Sequence, residues 1–201
     1  MTAEVAAVAV PFGENVQLSG ATVVYGGSFD PPHMGHQMAC LYLLEALDAQ
    51  EVWLMPANTH AFGKSLASFA HRRAMCEHLA RPFGARVLVS SLEAEMGGPS
   101  RTFDTVARLG VDYPARHFAL AIGADLVGET GRWHRWAELV QRVPVVVVGR
   151  RGYSHPASPV ELPAIASNQV RERLEAGLDV TGLMPWAVAH YIDHHRIYAG
   201  G

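Results

Sequence analysis

The chain has 201 residues, of which 49% are apolar and 17% charged, and its formal net charge is −3. That composition supports one compact domain with a sizeable core and argues against disorder. It has no basic surplus of the kind a general nucleic-acid binder carries, and no apolar run approaches the roughly 20 residues of a membrane span. An anionic ligand must therefore be held locally, by a few side chains and backbone N–H groups.

The two cysteines, Cys40 and Cys76, lack a CxxC partner. They outline neither a disulfide framework nor a zinc site, and a reducing cytoplasm is their simplest setting. Residues 1–10 are apolar but contain Glu4 and no basic leader, unlike a signal peptide. Residues 1–20 follow no period and hold Pro11, Gly13 and Gly20. They are expected to form a poorly ordered extension ahead of a single domain at 21–201.

Regular structure is expected from Ala21. The run ATVVY at 21–25, closed by Gly26-Gly27, reads as a buried strand. Met38, Leu41, Leu44 and Leu47 recur at helical spacing over 37–47. EVWLM at 51–55 is a second strand, stopped by Pro56; 69–79 is a helix and 86–90 a third strand. A helix over 103–109 precedes a fourth strand, HFALAI at 117–122. A short helix at 136–142 leads to a valine run at 145–148, the pattern of a central parallel strand covered on both faces. Alternating strands and helices predict right-handed crossovers and a doubly wound parallel α/β sheet. The proline-rich stretch 152–163 reads as a loop, followed by closing helices at 167–176 and 185–194.

The chemistry concentrates in segment 25–36, Tyr-Gly-Gly-Ser-Phe-Asp-Pro-Pro-His-Met-Gly-His, between the first strand and the first helix. Open α/β sheets bind ligands outside the carboxyl ends of their strands. Gly26 and Gly27 let the backbone pass close to a ligand. If residues 34–37 form the first helical turn, His33 and His36 lie on one side of it, over its N-terminus. Unpaired N–H groups and a partial positive charge there favour an anion, and two imidazoles complete a phosphate clamp.

GGSFDPPHMGH resembles the signature of the HxGH nucleotidyltransferases, which share a Rossmann-like fold. Further segments resemble, in order, the motifs of bacterial nicotinate mononucleotide adenylyltransferases. These are His71-Arg72-Arg73-Ala74-Met75, Thr102-Phe103-Asp104-Thr105, Gly123-Ala124-Asp125, Trp133-His134-Arg135-Trp136, Arg150-Arg151-Gly152-Tyr153 and Ile165 to Arg171. The resemblance implies adenylyl transfer from ATP to nicotinate mononucleotide, as in NAD biosynthesis, with C-terminal helices completing the fold. It gives His33, His36 and Arg171 the catalytic roles. Gly26, Gly27, Ser28, Phe29, Gly123, Asp125, Ser167 and Asn168 would bind ATP; Thr102, Trp133, Arg150, His60 and Lys64 would bind the acceptor. Mg²⁺ would be held mainly by the ATP phosphates and not by a protein metal site. A homo-oligomer is compatible with it.

Three positions depart from the pattern. Ala166-Ser167-Asn168 stands where the family has Ser-Ser-Thr, 58–64 (NTHAFGK) replaces Pro-Pro-His-Lys, and Arg101 replaces the tyrosine before T-x-D-T. Two other readings stay open: the same chemistry on nicotinamide mononucleotide or another phosphate, and a non-catalytic nucleotide-binding protein. His190 and His194 read as solvated helix-end residues, Trp53 and Trp136 as packing, and Arg72 as either a ligand contact or a support of the site.

Overall fold

A computed structural model describes residues 18–58 and 66–199. Most of the extension expected at 1–20 lies outside them, as do His60 and Lys64. Leu18 is buried, and its N–H donates to the Leu47 carbonyl at 3.1 Å.

Among the described residues one sheet contains β1 (Ala21–Gly27), β2 (Glu51–Pro56), β3 (Val87–Val89), β4 (His117–Gly123), β5 (Val145–Arg150) and β6 (Glu161–Leu162). The strand order is β3-β2-β1-β4-β5-β6, and every pairing is parallel. The chain builds outward from β1 through β2 and β3, then returns to β4 on the other side of β1. The carboxyl ends of β1 and β4 therefore flank the point where the order reverses, and a crevice opens there. This is the parallel α/β sheet expected from the alternating elements, with the Rossmann-like doubly wound order that the family resemblance implies.

The helices are α1 (Met34–Leu41), α2 (Phe69–Ala80), α3 (Leu92–Met96), α4 (Thr102–Asp112), α5 (Trp136–Arg142), α6 (Ser167–Glu175) and α7 (Trp186–His195). Two apolar layers separate them from the sheet. Val23, Leu54, Ala121, Val146 and Val148 point to one face, with Met75 and Leu79 of α2, Val170 of α6 and Ile192 of α7. Val24, Trp53, Leu120, Val145 and Val147 point to the other, with Phe103 and Val106 of α4 and Leu139 of α5. Successive strand residues face opposite ways, so a strand covered on both sides must be apolar throughout, which accounts for the valine run. Trp53 and Trp136 are both in the second layer, as expected.

Three elements differ from the sequence reading. The first helix starts at Met34, earlier than the apolar spacing suggested, and ends in a wider turn at Tyr42–Ala46. Helix α3 is too short to show a period and carries one buried apolar residue, Leu92. Strand β6 lies inside the proline-rich segment read as a loop. It is held by close backbone approach: a Cβ at Gly149 would collide with the Val160 carbonyl oxygen. Only glycine fits there.

Candidate active site

The site is built first from the start of α1. His33 is the N-cap residue, with an extended backbone (φ −140°, ψ 176°), and His36 occupies the third helical position. The His33 N–H donates to His36 Nδ1 at 3.1 Å, so this helix end fixes its own second imidazole. The two rings stack with centroids 3.8 Å apart and 30° between planes. Gly35 makes room for this: a Cβ at that position would lie 3.0 Å from the His33 ring. Phe29 is buried at φ +48°, and its ring sits 4.9 Å from that of His36. A left-handed conformation at a bulky residue is strained, and such strain is commonly kept at functional loops.

Both imidazoles are held neutral. Burial, and then the charge of Arg150, pushes His33 down to about 4. Burial, His33 and Arg150 push His36 well below the ordinary histidine value. His33 Nδ1 is buried and has no hydrogen-bond partner among the described residues, a position that a ligand oxygen or a water would satisfy. Unfolded histidine titrates near 6.5, so the unfolded chain binds more protons than the native one between that value and about 4. Stability is fully present above pH 6.5 and is expected to fall as pH drops through this window. Urea midpoints measured from pH 7 to pH 4 check this, with His36→Asn as the comparison. A wild-type midpoint that stays level to pH 4 would contradict neutral, buried rings.

A second set of residues holds the loop beneath the histidines. The buried Asp30 carboxylate accepts the Tyr198 hydroxyl at 2.5 Å and the Ala67 N–H at 3.1 Å. Arg171 of α6 lies 3.5 Å from the same carboxylate and also donates to the Asp30 carbonyl. Burial and the Asp30 contact raise the Tyr198 pKa, so its phenol stays a donor. Arg72, 1% exposed, donates to the carbonyls of Ala67 at 2.9 Å, Ser28 at 2.9 Å and Asn58 at 3.2 Å. It braces the backbone of the loop and is not among the residues lining either cavity described below. Asp30 and Tyr198 were not singled out from the sequence. Asp30 lies inside the quoted motif without an assigned task, and Tyr198 stands alone near the C-terminus.

Two cavities open at the sheet's carboxyl edge. The first, about 730 Å³, is lined by Gly26, Gly27, Ser28, Phe29, His33 and His36, and also by Gly123, Asp125, Ser167, Asn168 and Arg171. Every residue expected at the catalytic and ATP positions thus faces one space. Arg150, grouped by sequence with the acceptor, lines this same cavity and pairs with Asp125 at 3.2 Å. The Ser167 hydroxyl donates to the Pro31 carbonyl at 2.9 Å, tying α6 to the histidine loop. Ala166 at the start of α6 has no hydroxyl to cap the helix, so the N–H groups of its first turn stay open to an anion. The second cavity, about 420 Å³, is lined by Thr102 and Trp133 and shares Gly26, Gly27 and Ser28 with the first. Glu93 of α3 lines it too and accepts the Thr105 hydroxyl at 2.9 Å; burial raises its carboxyl pKa. With α3 unseen in the sequence, Glu93 was missed. Among the described residues no group of three or more His, Cys, Asp or Glu is placed to hold a metal ion, and no helix is long and apolar enough to cross a membrane.

Paired imidazoles and the Arg150 and Arg171 guanidinium groups line one cavity at the switch point of a parallel sheet, a setting suited to an anion. Residues 24–173 match the family described as cytidylyltransferase-like, and the chain is a nucleotidyltransferase enzyme by family and fold. A protein of Anaeromyxobacter dehalogenans named "Probable nicotinate-nucleotide adenylyltransferase" is 42% identical over 178 residues, 87% of this chain and 95% of that one. Its counterpart by name in Myxococcus xanthus is 34% identical over 174 residues, 86% and 92% of the two chains. The chain belongs to the nicotinate-nucleotide adenylyltransferase family. The fold is also that of the Plasmodium falciparum nicotinic acid mononucleotide adenylyltransferase complexed with NaAD. The TM-score there is 0.76 at 20% identity, over 89% of this chain and 97% of that one.

Proposed function

We propose that this chain transfers the adenylyl group of ATP to the phosphate of nicotinate mononucleotide, releasing pyrophosphate and forming nicotinate adenine dinucleotide. The supporting observation is the meeting of two cavities over Gly26-Gly27-Ser28. ATP occupies the larger one. Its triphosphate lies between His33 and His36, the open first turn of α6, and Arg171, with its adenosine toward Gly123 and Asp125. The acceptor occupies the smaller one, with its pyridine ring against Trp133 and near Thr102, and its phosphate at the shared edge. Arg150, on the ATP side of that edge, lies near both phosphate groups.

An acceptor phosphate oxygen attacks the α-phosphorus, a new P–O bond forms, and the bond to the bridging α–β oxygen breaks as pyrophosphate leaves. The nucleophile is already anionic at neutral pH, so no general base is required. Catalysis is positioning plus stabilisation of charge on the phosphoryl oxygens. Mg²⁺ enters with the substrate, as MgATP. The reaction belongs in the cytoplasm, where both substrates are soluble. The test is pyrophosphate release from MgATP with nicotinate mononucleotide and nicotinamide mononucleotide as parallel acceptors. Faster release with the acid form is expected. ATP binding without pyrophosphate release in the presence of either acceptor would favour a non-catalytic nucleotide-binding protein.

A further inference from the structure

We infer that Arg101 is a specificity-determining residue of the acceptor site: its guanidinium is the counter-charge for the carboxylate of an aromatic acid, selecting the acid form of the acceptor over the neutral amide. The inference rests on the acceptor reading above and goes beyond it. Arg101 stands where the family pattern has tyrosine, so nothing in the shared motifs assigns it this task.

Three observations carry it. Arg101 lines the second cavity together with the Trp133 indole. An aromatic wall and a cation in one cavity fit a planar ring bearing a negative group. Next, the other ionisable groups lining that cavity each have an oppositely charged or hydrogen-bonding neighbour. Arg132 faces Glu129 at 3.8 Å, His134 faces Asp104 at 3.9 Å, and the Glu93 carboxylate takes the Thr105 hydroxyl. The Arg101 guanidinium has no hydrogen bond or ion pair among the described residues. Finally, Arg101 is the N-cap residue of α4, with an extended backbone (φ −129°, ψ 113°), and its side chain makes no capping bond. The side chain is not needed to start the helix and is free to meet a ligand. A carboxylate reaching the N-terminal turn of α4 would meet Arg101 and, beside it, the unpaired first-turn N–H groups.

The bond is a forked, charge-assisted one, but Arg101 is exposed, so solvent and salt screen it. A discrimination of about tenfold between acid and amide is therefore expected from this residue alone. The carboxylate is remote from the reacting phosphorus, so the effect falls on KM of the acid form and hardly on kcat.

The experiment measures kcat and KM for nicotinate mononucleotide and nicotinamide mononucleotide with wild type, Arg101→Gln and Arg101→Lys, at low and high salt. In Arg101→Gln the acid-form KM is expected to rise about tenfold, and the acid-to-amide ratio of kcat/KM to fall by the same factor. Arg101→Lys, which keeps the charge and loses the fork, is expected between the two. High salt should lower the wild-type ratio and leave the Arg101→Gln ratio where it was. An unchanged ratio in Arg101→Gln, or an equal loss with both acceptors, overturns the inference while leaving the proposed function standing. A wild type that turns over neither acceptor, or that prefers the amide, overturns the acceptor reading itself.

Discussion

Replacing His36 by Ala is expected to lower turnover by about 10²–10³, the usual loss when one donor to a developing phosphoryl charge is removed. In the free protein His36 has two tasks. Its Nδ1 accepts the His33 N–H at 3.1 Å, and its ring stacks on that of His33. Nδ1 being used, Nε2 is the nitrogen left for the α-phosphate. Alanine removes both nitrogens, so the loss would mix chemistry with a frayed helix end, worth about 1 kcal/mol. Asparagine separates the two, because its side-chain oxygen can accept the His33 N–H while nothing replaces Nε2. His36→Asn should therefore keep the urea midpoint of wild type and show nearly the same turnover loss as His36→Ala. Since the interaction strengthens only as charge develops, kcat should fall more than ATP affinity. Wild-type turnover in either variant would remove His36 from the mechanism.

The residues that could be read from sequence are those whose task is tied to local spacing. His33, Gly35 and His36 form a unit because three residues of helix bring the imidazoles together, and the structure stacks them. The valine run marked β5 because a strand covered on both faces is apolar at every position. Long-range partners left no such mark. Tyr198 reaches Asp30 across 168 positions and Arg171 reaches it across 141; no period or motif links residues so far apart. β6 was hidden for a different reason. A strand of two residues has no alternation to detect, and its place is set by the missing side chain at Gly149. Arg72 was visible as a motif member, but its burial was not, since the sequence does not reveal three carbonyls converging on it.

The largest loss of stability is expected from that arginine. The Arg72 guanidinium is sealed from water and spends its donors on the carbonyls of Ala67, Ser28 and Asn58. Burial lowers its pKa and the nearby Asp30 opposes the shift, yet an arginine remains charged under any physiological condition. Arg72→Met keeps much of the length and apolar stem but leaves three carbonyl oxygens without donors, and Asp30 loses a neighbouring cation. Removing one member of a buried charged network costs about 3–5 kcal/mol, against a total of about 5–15 kcal/mol for a typical domain. For a chain of this length that corresponds to a melting temperature lower by roughly 10 °C. Arg72→Lys retains the charge but cannot reach three acceptors in one plane, so an intermediate loss is expected. Function should suffer beyond the stability effect, because the Ser28 carbonyl held by Arg72 belongs to the edge shared by both cavities. At a temperature where Arg72→Met is still folded, KM should rise for ATP and for the acceptor together, since both meet that edge. Chemical denaturation together with steady-state kinetics at that temperature tests both parts. A variant within about 1 kcal/mol of wild type would mean that the three carbonyls find water or other donors, and that Arg72 does not hold the loop.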